Sequence, residues 1–382
     1  MSLESLNPIS ETSLNSLLLA PDQVIGKNIN IHTLDSGLPS LDDAQIAIIG
    51  ITENRNAFFP TLEYDLDSFR NAFYNLFPGN WNFKIADLGN LPNGNSVNDT
   101  YFAITDICDE LYKRDIVPIL VGGSHDMIYS VYKSYSLRNQ LTNIVSVDNQ
   151  FDFSQDEELI SGRSYMSQII MEEPNFLHNF TNLGYQSFFI AQEELDLMEK
   201  LYFESMRLGK VLDDITLTEP YFRDADIVGV DMKSLSWTAT GSNSSGQPNG
   251  IDSRSICSLA RYAGISDKVS SFGLFELPSN PIFHQLLSQV IWYFIDGYSN
   301  RFNEYPVSIS EGFVKYIVTL SDRELIFYKS ETSKRWWVEM LNENYIDNKL
   351  KSTTLLPCTQ RDYQAACADE LPERWWKASK RR

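Results

Sequence analysis

The chain has 382 residues, 43% of them hydrophobic, which is enough to fill the core of one large α/β domain with an appendage or of two ordinary domains. Its formal charge of −20 excludes a general nucleic-acid-binding or anionic-membrane surface, because contact with phosphate needs a basic footprint. The start Met1-Ser2-Leu3-Glu4 has no basic segment followed by an apolar one, and no run approaches the roughly 20 apolar residues of a membrane helix. A cytoplasmic protein is therefore expected. Cys108, Cys257, Cys358 and Cys367 show no close metal spacing and are expected as unpaired, buried thiols in a reducing compartment.

In chain order, residues 1–43 are polar with scattered leucines and read as a segment that wraps the domain. Residues 45–51 read as a buried first strand with the loop Thr52-Glu53-Asn54-Arg55 above it, residues 66–77 as a helix, and residues 84–87 as a second strand. A helix over 98–113, with Phe102, Ile104, Ile107, Cys108 and Leu111 at helical spacing, leads into a strand over 116–121. The alternation continues with helix 127–136, strand 144–147, strand 187–190, helix 193–208, strand 227–230, helix 254–262, strand 269–275 and helix 284–298. Such alternation over some 250 residues predicts a mainly parallel sheet with helices on both faces. Residues 242–250, Ser-Asn-Ser-Ser-Gly-Gln-Pro-Asn-Gly, are a loop by composition.

Beyond about Arg301 the pattern changes. Residues 313–320 and 324–328 read as a hairpin around Ser321-Asp322-Arg323, followed by Arg335-Trp336-Trp337-Val338, and Thr359 with Asp362 caps a short helix. The pairs Trp336-Trp337 and Trp375-Trp376 either close a core or serve a partner surface. The sequence thus divides into an N-terminal segment 1–43, an α/β domain 44–301 and an extension 302–382, and a homo-oligomer or partner contact is expected through the extension.

Three predicted strands end in chemistry-bearing residues: Val121-Gly122-Gly123-Ser124-His125, Val147-Asp148-Asn149-Gln150-Phe151-Asp152, and Val230-Asp231-Met232-Lys233. Open α/β sheets build their sites at the carboxyl ends of strands, so one imidazole and three carboxylates are expected to converge on one pocket, a place for a metal ion. The two glycines allow the sharp turn that points His125 inward.

Gly-Gly-x-His, then Asp-x-x-x-Asp, then a strand-terminal Asp resembles the ureohydrolases (arginase, agmatinase and formimidoylglutamase), most closely the formimidoylglutamase branch. Residues 85–89 (Ile-Ala-Asp-Leu-Gly), 239–251 and 275–281 (Phe-Glu-Leu-Pro-Ser-Asn-Pro) add to it, and the likeness spans about 44–301. It implies the three-layer arginase-like α/β fold, with the predicted hairpin and helix as an added C-terminal extension. It also implies two manganese ions that share bridging carboxylates and hold a hydroxide, with His125, Asp148, Asp152 and Asp231 as ligands of the first ion. Glu276 corresponds to the family acid that meets the amidine nitrogens of the substrate, and Asp148 is a second candidate catalytic group.

The chain departs from the family at the second ion. Asn149 and Gln150 stand where the family has Ala-His, and Lys233 and Ser236 stand where it has two aspartates. The proton-shuttle histidine is also absent from residues 160–166, and His32, His178 and His284 lie outside the motifs. At most one manganese is expected, with Gln150 and Lys233 marking lost second-metal positions and the Lys233 ammonium standing near Asp148 or Asp231 in the second ion's place. Two functions follow: a formimidoylglutamase-like protein with an eroded site, kept for binding or assembly, or a one-metal hydrolase of linear amidines. A small amidine-like ligand fits either.

Overall fold

The computed structural model describes residues 2–58, 64–154, 160–242, 246–278, 280–304, 312–340 and 355–381. Residues 243–245 of the predicted 242–250 loop and Ser279 of the 275–281 segment lie outside them. Nine strands make one sheet: β1 Asn30–Ile31, β2 Ala44–Ile51, β3 Lys84–Leu91, β4 Val117–Gly122, β5 Thr142–Val147, β6 Leu177–Tyr185, β7 Glu204–Arg207, β8 Ile227–Asp231 and β9 Ser271–Phe275. Their order is β1-β3-β2-β4-β9-β8-β5-β6-β7 and every pairing is parallel. The central strands are continuous apolar runs, Ala-Gln-Ile-Ala-Ile-Ile-Gly-Ile in β2 and Val-Pro-Ile-Leu-Val-Gly in β4, because helices cover both faces.

Two apolar cores result, one on each face. Phe69, Phe73, Val121, Val230, Phe272 and Ile291 belong to one, and Ile104, Leu111, Ile128, Tyr132, Phe151 and Phe275 to the other. β2, β3 and β1 lie on one side of β4, β5, β6 and β7 run outward in chain order on the other, and β8 and β9 return to fill the gap between β4 and β5. A crevice therefore opens over the carboxyl ends of β4, β9, β8 and β5, where the strand order reverses.

Several elements differ from the sequence reading. The strand expected over 187–190 is a 3-10 turn, Ser187–Phe189, and the strand itself is the Asn- and Thr-rich β6 before it. The helix expected over 193–208 stops at Lys200 and gives way to β7. Residues before Ala44 supply edge strand β1, and Asn7 exchanges both backbone hydrogen bonds with Asn90 of β3 at 2.8 and 2.9 Å. Cys108, Cys257 and Cys358 are buried, but Cys367 is exposed. On β3, Asp87 is fully buried and meets Arg70 Nε at 2.9 Å and Arg70 Nη2 at 3.1 Å, with the Tyr74 hydroxyl at 2.9 Å, so its charge has a fixed partner.

The C-terminal extension is larger than a hairpin. Strands β10 Phe313–Thr319, β11 Glu324–Ser330, β12 Trp336–Glu339 and β13 Leu355–Cys358 form an antiparallel sheet in that order. Helices Gln360–Cys367 and Glu373–Lys380 contribute Ala366 and Trp375 to a core with Val318, Phe327, Trp336 and Leu356. Trp336, Trp337 and Trp375 are thus core residues, while Trp376 is 41% exposed. Arg374 places Nε 2.9 Å from Glu204 at the start of β7. Arg223, in the turn of helix before β8, donates to the carbonyls of Trp336 at 2.9 Å and Cys358 at 3.0 Å and stacks on Trp337. These contacts fix the extension at the amino ends of the strands, opposite the crevice.

Candidate functional site

Four adjacent strands deliver the side chains of the crevice. Beyond β4 the backbone turns through Gly122 at φ +95° and Gly123 at φ +81°; a side chain at Gly122 would put its Cβ 2.5 Å from the Ile51 carbonyl oxygen. That turn carries His125 into the interior. β5 is followed by Asp148 and, after a left-handed step at φ +59°, by Asp152 itself. Asp231 is the last residue of β8, and Glu276 follows β9 at φ +55°. Non-glycine residues seldom adopt that region, and here the strained positions carry two of the crevice's carboxylates.

His125, Asp148 and Asp152 come together: each offers one ligand atom, and these atoms lie within 4.8 Å of one another. His125 Nδ1 is 3.1 Å from Asp152 Oδ2, 3.4 Å from Asp148 Oδ2 and 3.7 Å from Asp231 Oδ2. The imidazole is fully buried, with its ring edge-on to Tyr165 at 5.0 Å. Burial disfavours its charged form, but the carboxylates of Asp148, Asp152 and Asp231 outweigh this and raise its pKa to about 10. Burial, together with the neighbouring charge of Asp152, lifts Asp148 to about 6.

Asp231 stands apart from this group. Its Oδ1 accepts the Lys233 backbone N–H at 2.7 Å, and its Oδ2 is held by the Lys233 ammonium. Lys233 is only 7% exposed. Burial lowers its pKa, yet Asp231, then Asp148 and Asp152, more than reverse that, so it stays charged across the neutral range. Ser236, at the other lost position, caps the short helix Trp237–Thr240 by accepting from Ala239 N at 3.3 Å. Gln150 is held through its backbone, donating to Asp148 Oδ1 at 3.3 Å and accepting from Asn182 Nδ2 at 2.6 Å.

One divalent cation fits this donor set. Asp148 Oδ2, both oxygens of Asp152 and His125 Nδ1 are buried and have no aligned hydrogen-bond partner among the described residues, and three hard oxygens with one imidazole suit such an ion. A second ion beside Asp231 does not fit. A protonated amine has no lone pair for a metal and repels a neighbouring cation, and Lys233 occupies the oxygen that a second ion would need.

Glu276 approaches from β9. Its Oε2 and Oε1 accept the Phe58 backbone N–H at 3.0 and 3.2 Å, and Oε1 also lies 3.4 Å from His125 N. Burial, then the charge of Asp231, raises its pKa to about 7. The Phe58 ring centre is 5.2 Å from Lys233 Nζ and 4.3 Å from the Arg163 guanidinium. Phe58 escapes a sequence reading because nothing in the spacing of the loop after β2 ties it to β9. His32, by contrast, bonds the Leu88 carbonyl at 2.9 Å, and neither His178 nor His284 belongs to the cluster.

The same architecture occurs in solved structures. Formiminoglutamase from Trypanosoma cruzi with Mn2+ superposes with a TM-score of 0.60 at 15% identity, covering 68% of this chain and 94% of that one. Formimidoylglutamase from Bacillus subtilis gives 0.61 at 15% identity, with 73% and 93% covered. The chain has the arginase-like fold. Agmatine ureohydrolase of Thermoplasma volcanium shares it as well, at 17% identity, a TM-score of 0.58 and coverage of 77% and 99%. No family sequence model matches the chain, and no curated protein sequence does. The fold implied by the resemblance is thus present, with the four-stranded extension added to it. No helix among the described residues is long and apolar enough to cross a membrane.

Proposed function

We propose that this chain is a ureohydrolase-family protein, nearest the formimidoylglutamase branch, whose dinuclear manganese site is eroded and whose role is binding or assembly rather than amidine hydrolysis. The observation that carries the reading is the Lys233 ammonium seated on Asp231 Oδ2. Chemistry that depends on two ions sharing carboxylates is not supported by a site in which one of those carboxylates is held by an internal cation. Two further features favour the reading. Both oxygens of Glu276 are engaged by Phe58 N–H, and residues 160–166 bring no histidine to move a proton. The extension, remote from the crevice, is the place for a second copy or a partner.

A second reading, a one-metal hydrolase of linear amidines, is favoured by Asp148 Oδ2 and the two oxygens of Asp152, which are buried and have no aligned hydrogen-bond donor among the described residues. In it His125, Asp148 and Asp152 would hold the ion and Glu276 would hold the amidine. Bound there, an ion would supply a lowered water pKa. Elemental analysis after manganese loading, run beside a formimidoylglutamate hydrolysis assay, decides between them. At most one manganese per chain and no turnover are expected. Only Lys233→Asp combined with Gln150→His should hold two ions, and neither single variant should. Two ions in the wild-type chain would end the proposal, and turnover with one ion would establish the second reading.

A further inference from the structure

The extension's sheet has two edges, and they are built differently. At β13, Pro357 brings no N–H and its carbonyl accepts from Arg374 Nη1, while the neighbouring Cys358 carbonyl accepts from Arg223 Nη2 at 3.0 Å. β10, at the other edge, has no proline, and its register against β11 runs without a bulge from Phe313 opposite Ser330 to Thr319 opposite Glu324. The ladder is anchored at both ends, with Glu331 N donating to the Gly312 carbonyl and Leu320 N to the Arg323 carbonyl, each at 2.8 Å. Antiparallel bonding alternates along a strand, so Val314, Tyr316 and Val318 bond β11, and the N–H and C=O groups of Phe313, Lys315, Ile317 and Thr319 point away from it. Those four residues meet no further strand among the described residues. Val314 is 39% and Ile317 60% exposed, and Lys315 is the strand's one charged side chain.

An open edge of this length is completed by another strand, because a strand offers C=O and N–H groups at the matching spacing. The phase of the free groups suits a second β10. In the register that uses the whole strand, an antiparallel pair centred on Tyr316 sets Phe313 opposite Thr319 and Lys315 opposite Ile317. Every outward-facing residue of one copy then meets an outward-facing residue of the other. The side chains agree with that register: on one face Val314 meets Val318 and Tyr316 its own counterpart, and on the other the Lys315 stem lies along Ile317. The same patch thus serves both copies, as a two-fold contact requires. No carboxylate lies on β10, although the chain carries −20 overall, so pairing here sets no two acidic side chains of the strands against each other. We infer that β10 is a homotypic docking edge, which pairs antiparallel with β10 of a second copy and joins the two four-stranded sheets into one. The inference rests on the reading of the extension as the place of assembly and names its occupant.

Sedimentation velocity of the full chain over a concentration series, in salt that screens the charge of the two copies, should show a monomer–dimer equilibrium. Lys315 carries two informative substitutions because its N–H points outward. Lys315→Val removes the charge opposite Ile317 and should tighten the dimer about threefold to tenfold. Lys315→Pro removes the same charge and also the outward N–H, leaves the β11 ladder whole, and should weaken the dimer by at least about tenfold relative to Lys315→Val. Should the proline variant not fold, peptide-resolved hydrogen exchange of the wild type decides the matter: amides of residues 313–319 should exchange more slowly as concentration rises. A chain that stays monomeric, a dimer that Lys315→Val does not tighten or Lys315→Pro leaves intact, or exchange over 313–319 that ignores concentration would overturn the inference. Manganese content and turnover test the loss of hydrolysis separately, so either idea can fail alone.

Discussion

Replacing Lys233 with methionine keeps the apolar stem and removes the ammonium. Asp231 is then a fully buried carboxylate whose remaining support is the residue-233 backbone N–H at 2.7 Å and the His125 imidazole at 3.7 Å. Breaking a buried pair by removing one partner costs about 3–5 kcal/mol, and the retained contacts place this case at the lower end. For a chain of this size that is a fall in Tm on the order of 10 °C or less. In the wild type the folded pKa of Lys233 lies above the ordinary lysine value of 10.5. Its contribution is therefore complete below that value, is lost only as pH rises through the folded pKa, and is constant around neutrality. In the variant the burden moves to Asp231, already raised by burial. The deficit should shrink as pH falls and Asp231 takes up a proton. Added manganese should raise the Tm of the variant more than that of the wild type, with about 2.7 kcal/mol returned at a hundredfold excess over Kd. Thermal unfolding followed by circular dichroism from pH 5 to 8, with and without MnCl2, measures all three effects. A variant as stable as wild type at pH 7, or a deficit that does not change with pH, would refute the argument.

Arg374→Met should destabilise the chain by the lower part of about 3–5 kcal/mol in urea, because Glu204 keeps Asn179 at 2.7 Å and Arg381 at 3.5 Å. Burial raises the Glu204 pKa, but Arg374 and Arg381 bring it below its ordinary 4.5; the difference between variant and wild type should therefore hold above that value and close as pH falls through the folded pKa. For the assembly role, Ile317→Lys is the probe: Ile317 is 60% exposed on β10, the outer strand of the extension's sheet. If copies associate through that edge, sedimentation should show the variant as a smaller species than wild type; an unchanged species excludes that edge.

What could be read from the sequence follows burial. β4, β5, β8 and β9 are buried throughout and each carries an apolar stretch, interrupted by a serine in β5, and their ends mark His125, Asp148, Asp231 and Glu276. β7 is a four-residue edge strand, Glu-Ser-Met-Arg, with no such run, and β6 carries Asn179 and Thr181 because they line the buried Glu204. The sequence therefore points to a strand at 187–190 instead of β6 and to a helix that runs through β7. β13 contains Pro357 and lies on the edge of its sheet, which hides it as well. In the site, the strand-end residues were legible and Phe58 was not, because its relation to Glu276 is tertiary, 218 residues apart.

Arg374 and Arg381, close together in the chain, are both turned inward onto Glu204. The same physical rule operates at three distant places in the fold. A buried carboxylate needs a cation or a full set of donors, and the chain supplies Arg70 to Asp87, Arg374 to Glu204 and Lys233 to Asp231. Lys233 is thus no anomaly of one pocket, since it does at β8 what arginines do at β3 and β7. Asp148 and Asp152 are met differently: among the described residues the His125 imidazole is the one ion-pair partner within 4 Å, and they keep buried oxygens without aligned donors there. On the proposed reading one cation binds at His125, Asp148 and Asp152 and none beside Asp231, which is why metal stoichiometry, rather than affinity alone, is the measurement that separates an eroded site from an intact one.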